Sequence, residues 1–223
     1  MRGDFEIEQE QVKKLRLLLL VAFACRCVQA QGTVYLSNLG APSMGSYSVA
    51  SDSWLAVGFR TGSNTGGYLL DSVTLAMLDA IGNPSSFVVS LYWSSVFAPR
   101  PGSSLSPLLG TTDPQSAGLY TFVAPPNLLL LPNTTYYIAV SEGATTASGA
   151  YQWGTADMSP NLGGNGWSGG GVFVSADGLP AGWNSIPGYT QFALNATAIP
   201  EPSAFALILL GGILLCRRAH IGT

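Results

Sequence analysis

Hydrophobic and polar residues alternate along the central part of the chain. The alternation is clear in Phe87–Trp93 and Leu55–Phe59, and it recurs in Leu69–Met77, Tyr136–Val140 and Gln191–Leu194. A period of two predicts β-strands, because successive side chains in a strand point to opposite faces of the sheet. In the third segment we expect one apolar face, interrupted at Asp71 and formed by Leu69, Val73, Leu75 and Met77.

Shorter strand candidates and turn clusters fill the rest of this region. The additional strand candidates are Thr33–Leu36, Leu119–Val123, Tyr151–Trp153 and Gly171–Val174. Clusters rich in Gly, Pro, Asn and Ser predict the turns between strands, at Thr61–Gly67, Gly82–Pro84, Pro99–Ser104, Thr112–Gly118, Pro125–Pro126 and Leu162–Gly171. No segment here sustains a helical period. Eight or nine short strands predict an all-β fold, a single antiparallel β-sandwich or jelly roll.

The N-terminal segment has the order of a secretory signal peptide. Basic residues in Lys13–Arg16 precede the apolar run Leu17–Cys25, and Val28–Ala30 supplies small residues at the first and third positions. The run is too short for a spanning helix, which needs about 20 residues. We therefore expect residues 1–30 to direct export through the Sec machinery, with cleavage after Ala30 and a mature chain starting at Gln31. A resident membrane helix is the alternative.

The C-terminal segment combines a proline-containing motif, an apolar run and a basic end. Pro200-Glu201-Pro202-Ser203 is followed by the apolar run 204–216 and by Arg217-Arg218. A helix over this run would be about 20 Å long, against a hydrocarbon core of about 30 Å. The arginines would remain in the cytoplasm and stop export of the tail. The pattern predicts a short transmembrane helix that anchors the chain transiently, and a permanent single-pass tail is the alternative.

Residues 199–223 resemble the PEP-CTERM protein-sorting signal. The resemblance rests on Pro200, Glu201, Pro202 and Ser203, on the apolar helix after them and on the terminal arginine pair. It implies a Gram-negative bacterium that makes exopolysaccharide. It also implies recognition by an exosortase, a membrane transpeptidase that would deliver the protein to the cell surface or extracellular matrix.

The region between the two ends is similar to the choice-of-anchor R domain. The similarity covers Thr33 to Ala198, and the segments that carry it are Trp54–Ser63, Gly67–Leu75, Leu131–Tyr137 and Tyr151–Trp153. It implies a β-sandwich ectodomain over residues 31–198. It transfers no catalytic residue to this chain.

The residue types present in the region between the two ends exclude many enzyme classes. Residues 31–199 contain no Lys, His or Cys, and the single His of the chain is His220. A histidine triad, a Schiff-base lysine, a catalytic thiol and a His/Cys zinc site are therefore excluded from this region. The formal net charge of the whole chain is −3, so there is no basic footprint for nucleic acid. We expect no cofactor and no catalytic residue.

The seven acidic residues within residues 31–199 leave two weaker chemical possibilities. A pair of carboxylates could hydrolyse a glycosidic bond, although nothing in the sequence pairs any two of them. Asp157 and Asp177-Gly178 lie in loop-like sequence and could provide oxygen ligands for Ca²⁺. Solvated turn residues are the alternative for both.

Two tryptophans in glycine-rich sequence are candidates for contact with a polysaccharide. Trp167 and Trp183 have Asn165 and Asn184 close by, and exposed aromatic rings can stack on sugar rings. They would make the domain a carbohydrate-binding module. The alternative is that both rings are buried and close the sandwich, since Trp is highly buried on average.

Overall fold

The described part of the chain is built from β-strands. The computed structural model describes residues 32–143, 148–160 and 166–201. Its strands are β1 (Thr33–Ser37), β2 (Ser43–Val49), β3 (Trp54–Arg60), β4 (Tyr68–Asn83), β5 (Phe87–Ser94), β6 (Pro101–Pro107), β7 (Gly118–Val123), β8 (Leu129–Leu130), β9 (Thr135–Glu142), β10 (Ser148–Ala156), β11 (Ser168–Ser175), β12 (Asn184–Ile186), β13 (Tyr189–Thr190) and β14 (Phe192–Ala198).

The strands form two antiparallel sheets. One has six strands in the order β12-β11-β3-β9-β5-β6. The other has eight strands and contains the path β1-β14-β4-β10-β13, with β2 paired to β10 and with β7 and β8 paired to β4. The long strand β4 organises the larger sheet, because four other strands pair with different parts of it.

The two sheets share one hydrophobic core. The six-stranded sheet contributes Val57 and Ile138, and the eight-stranded sheet contributes Leu75 and Phe192, all without solvent exposure. Each alternates along its strand with a residue on the other face of its sheet, and in the six-stranded sheet some of those residues, such as Ala56 and Ala139, are buried as well. All-β antiparallel structure is therefore confirmed, in the two-sheet arrangement of a β-sandwich.

All nine predicted strands are present, and the structure adds five. The additional strands are β2, β6, β8, β12 and β13. Strand β6 begins at Pro101, inside the predicted turn cluster Pro99–Ser104, and β11 begins at Ser168, inside the cluster Leu162–Gly171. These segments are rich in Ser, Gly and Pro, which have low strand propensity, and pairing with neighbouring strands overrides that preference.

The prediction of the apolar face of β4 is wrong at one residue, Leu69. Leu70 is buried in the core, whereas Leu69 is only half-buried. The cause is a β-bulge: Ser72 pairs with Asn195 and Leu70 with Ala196, so Asp71 is the extra residue. An extra residue reverses which side chains face inward.

The predicted signal peptide and transmembrane helix lie outside the described residues. Strand β1 begins at Thr33, and β14 ends at Ala198, immediately before the sorting motif. No helix in residues 32–143, 148–160 and 166–201 is long and apolar enough to cross a membrane.

Candidate functional site

The outer face of the six-stranded sheet carries a second apolar cluster. Its buried members are Ala56, Tyr92, Tyr137, Ala139 and Trp183. The chain between β11 and β12 folds over this face and brings Trp183 edge-on to Tyr92, with ring centroids 6.4 Å apart. The segment between β11 and β12 does not bury the end of β3 at Arg60, which is exposed.

A pocket of about 260 Å³ lies at this open end. We call it the glycine pocket, because Gly58 and the run Gly169–Gly171 form part of its lining. Strand β11 has a bulge here: Gly169 pairs with Phe59 and Val172 with Val57, so two glycines stand opposite Gly58. A bulge leaves part of the backbone ladder unpaired, and the glycines keep the space free of side chains.

The glycines also permit a close approach of the two strands. A Cβ on Gly170 would lie 3.0 Å from the carbonyl carbon of Gly58, and a Cβ on Gly58 would lie 3.0 Å from Cε1 of Tyr137. A Cβ on Gly171 would meet nothing nearer than Cε2 of Phe173, at 3.7 Å. Glycine is therefore required for packing at Gly170, whereas Gly171 has room beside the pocket.

Polar side chains form one edge of the glycine pocket. Arg60 is exposed and pairs in register with Thr135 on one side and Ser168 on the other. Residues directly opposite in antiparallel strands project on the same face, with Cβ atoms about 5 Å apart. Two hydroxyl-bearing side chains therefore flank the base of the Arg60 side chain. The described residues that line the pocket include no acidic residue.

Aromatic rings form another part of the wall. Phe173 is half-buried and contacts Tyr137 edge-on, with ring centroids 5.5 Å apart and planes at 85°. Burial raises the pKa of Tyr137 above its usual value, although a hydrogen bond to Ser94 lowers it in part. The phenol is therefore protonated and uncharged at neutral pH, and Arg60 is the only charged residue among the described residues of the wall.

The two tryptophans proposed to contact glycan are both buried. Trp167 is 4% exposed and Trp183 is 2% exposed. Trp167 stacks on Tyr35 at 4.6 Å within the core between the sheets, and Trp183 belongs to the outer cluster. Neither ring offers a free face, so the assignment of these two side chains to sugar stacking is wrong. Trp167 packs between the two sheets and Trp183 packs on the outer face, and both rings are buried because large aromatic rings gain much from burial.

Two of the acidic residues considered for chemistry, Asp177 and Glu142, accept hydrogen bonds from nearby groups. Oδ1 of Asp177 accepts hydrogen bonds from the Ser175 hydroxyl (3.1 Å) and from the Leu179 backbone N–H (2.9 Å), as in a local turn. Asp157 is exposed. Glu142 is buried, and its Oε1 accepts from the Ser85 N–H at 2.9 Å. Within the described ranges no three His, Cys, Asp or Glu residues come together as a metal site.

The structure describes only the start of the predicted sorting motif. Pro200 and Glu201 are exposed and follow the last strand directly. Pro202, Ser203, Arg217, Arg218, Ala30 and Gln31 lie outside the described residues.

Sequence reasoning missed the glycine pocket. The sequence pattern gives Arg60 and Phe173 no functional role; it places Gly169 and Gly170 in a turn, and Gly171 where that turn meets the strand candidate Gly171–Val174. Glycines within an alternating strand signal a bulge or a close approach, and that signal was available next to Val172 and Val174. No protein-family model matches the chain, and no curated protein matches its sequence.

Proposed function

We propose that the chain is an exported, non-enzymatic bacterial surface or matrix protein, sorted by an exosortase through its C-terminal motif. One observation carries the proposal: the sandwich ends where the motif begins. The Ile199 N–H donates to the Gly67 carbonyl at 3.0 Å, and the side-chain amide of Asn64 donates to the Ile199 carbonyl at 2.9 Å. The next residues, Pro200 and Glu201, are exposed, so a membrane enzyme would reach the motif without unfolding the domain.

The N-terminal boundary supports export in the same way. Cleavage after Ala30 would leave Gln31 and Gly32 ahead of β1, which begins at Thr33 and pairs with β14. Removal of residues 1–30 would therefore leave all strands of the sandwich intact. The mature ectodomain would comprise residues 31–198, with a short transmembrane helix over 204–216 until the tail is processed.

The chemistry of the ectodomain supports binding or structure in preference to catalysis. A glycoside hydrolase needs two carboxyl groups flanking the substrate, and no acid is among the described residues lining the glycine pocket. Asp113 is engaged with Tyr151, which donates to its Oδ1 at 2.9 Å. Glu142 lies within the sandwich, at the end of β9. In this proposal the protein is a non-catalytic component of the cell surface or the exopolysaccharide matrix of a Gram-negative bacterium, as the resemblance of its C-terminal segment to the PEP-CTERM signal implies.

The sorting step is tested by changing the motif in the native host. We expect Pro200→Ala with Glu201→Ala and Pro202→Ala to keep residues 204–223 and to collect in the membrane fraction. Pro180→Ala, an exposed proline between β11 and β12, is the matched control and should be processed like the original chain. Normal processing of the triple variant would contradict the proposal.

A further inference from the structure

We propose that the glycine pocket binds a carboxylate-bearing sugar unit of an acidic polysaccharide. Arg60 pairs with the carboxylate, and Phe173 supplies the surface for the sugar ring. The inference rests on the proposed function, because a sorted ectodomain meets the polysaccharide of the surface or matrix.

The open backbone and the volume of the pocket favour a single sugar ring. The bulge at Gly170 and Gly171 opposite Gly58 leaves backbone without side chains, so a ligand approaches the sheet directly. The volume of about 260 Å³ is just below the range of about 300–1,000 Å³ that is usual for drug-sized ligands. One sugar unit fits this volume, and the rest of the polymer continues across the exposed mouth.

The charge of the pocket favours an anion. Residues 31–199 contain two arginines and seven acids, a formal charge of −5. The guanidinium of Arg60 is nonetheless exposed on a wall with no acid among its described residues. A planar guanidinium matches a carboxylate through two parallel hydrogen bonds. The other arginine, Arg100, donates from Nη1 to the Ala181 carbonyl at 3.5 Å and does not line the pocket.

The neighbours of Arg60 favour a sugar as the carrier of that carboxylate. Thr135 and Ser168 stand on both sides of Arg60 in the neighbouring strands, and the hydroxyl group of each both donates and accepts, as sugar hydroxyls do. Phe173 is held edge-on against Tyr137 and presents apolar surface to the C–H face of a ring. An acidic peptide would satisfy Arg60 but would leave this combination of hydroxyls and aromatic surface without a partner.

The test compares matched probes on the full chain in mild detergent. Calorimetry or ligand-observed NMR would use oligomers of galacturonate and of mannuronate, the methyl ester of each oligomer, and oligoglutamate. We expect at least one of the two uronate oligomers to bind. Its methyl ester should bind at least about tenfold more weakly, because a hydrogen bond to a charged group is lost. Oligoglutamate should bind no better than that ester.

Substitutions distinguish binding in the glycine pocket from a general effect of positive charge on binding. Arg60→Gln should weaken binding of the oligouronate by about tenfold or more, and Phe173→Ala should weaken it as well. Arg100→Gln removes the same charge outside the pocket and should leave binding unchanged. Gly171→Val adds a side chain where a Cβ has room, so it should block the ligand with little effect on the unfolding temperature even if Phe173→Ala is unstable.

Several results would overturn the inference. These are no binding of either uronate, equal binding of the methyl esters, equal binding of oligoglutamate, or equal loss in Arg60→Gln and Arg100→Gln. Equal binding of oligoglutamate would identify an anionic peptide site. The assay keeps both ends of the chain, so its outcome does not depend on sorting, and a failure of the exosortase proposal would leave it unaffected.

Discussion

Two buried tryptophans differ in one hydrogen bond, and this difference makes a quantitative prediction. Nε1 of Trp153 donates to the Gln191 carbonyl at 2.9 Å. Nε1 of Trp167 is buried and has no hydrogen-bond partner among the described residues. Both side chains belong to the core between the sheets, with 0% and 4% exposure. Trp153→Phe and Trp167→Phe therefore remove the same atoms from similar surroundings.

The expected difference follows from the fate of the indole N–H. Trp153→Phe removes a hydrogen bond with a net contribution of about 0.5–1.5 kcal/mol, whereas Trp167→Phe removes an unsatisfied donor that costs about 1–3 kcal/mol. The cavity left by the smaller ring is similar in both cases and cancels in the comparison. Trp153→Phe should therefore lower the free energy of unfolding by about 1.5–4.5 kcal/mol more than Trp167→Phe.

Urea unfolding followed by far-UV circular dichroism measures this difference without relying on tryptophan fluorescence. If the free energy of unfolding falls with urea concentration at the same slope in both variants, the two variants unfold to similar states. If Trp167→Phe were as destabilising as Trp153→Phe, Trp167 would have a hydrogen bond that the described residues do not supply. The assignment of its N–H as unsatisfied would then be wrong.

Three further predictions concern stability. Asn38→Ala should lower the free energy of unfolding by about 3 kcal/mol or more, because the buried amide donates to two backbone carbonyls and accepts from one N–H. Chemical unfolding measures this against the exposed control Asn184→Ala. Thr61→Val should lower it by about 1–3 kcal/mol in the same assay, because the hydroxyl donates to one carbonyl and accepts from the Thr134 N–H. Burial, followed by the hydrogen bond to Asp113, raises the pKa of Tyr151. The folded state therefore holds this proton more tightly than the unfolded state, and stability should fall as pH rises above about 10. Tyr151→Phe should flatten that decline by up to about 1.4 kcal/mol per pH unit, and an unchanged slope would contradict the assignment.

The alternation of apolar residues predicts the strands because every second side chain of a strand points into the core between the sheets. The prediction failed in β4 because a bulge at Asp71 changes the phase, and that change depends on the partner strand. Asn195 pairs with Ser72 and Ala196 with Leu70, and this register cannot be derived from the sequence of β4 alone. Thr197 then donates to the Asp71 carboxylate at 2.8 Å, which gives the extra residue a polar partner.

The candidate site is harder to predict from the sequence than the strands are, because it is formed by contacts between distant segments. Trp167 follows glycine-rich sequence, yet it is buried because Tyr35 and Tyr68, far away in the chain, pack against it. Arg60 and Phe173 gain a shared pocket only because β3 and β11 are neighbours and because the bulge leaves glycine opposite glycine. Composition identified the scarcity of cations, but only the sheet pairing shows which of the two arginines lines a pocket.

The intact mass of the protein from its native host shows directly whether the tail is cut by an exosortase. Matrix and membrane fractions would be measured separately. We expect the surface or matrix fraction to contain a chain that begins near Gln31 and ends near Pro200. A protein found only in membranes, with residues 204–223 still attached, would contradict sorting by an exosortase and would make the C-terminal segment a permanent anchor.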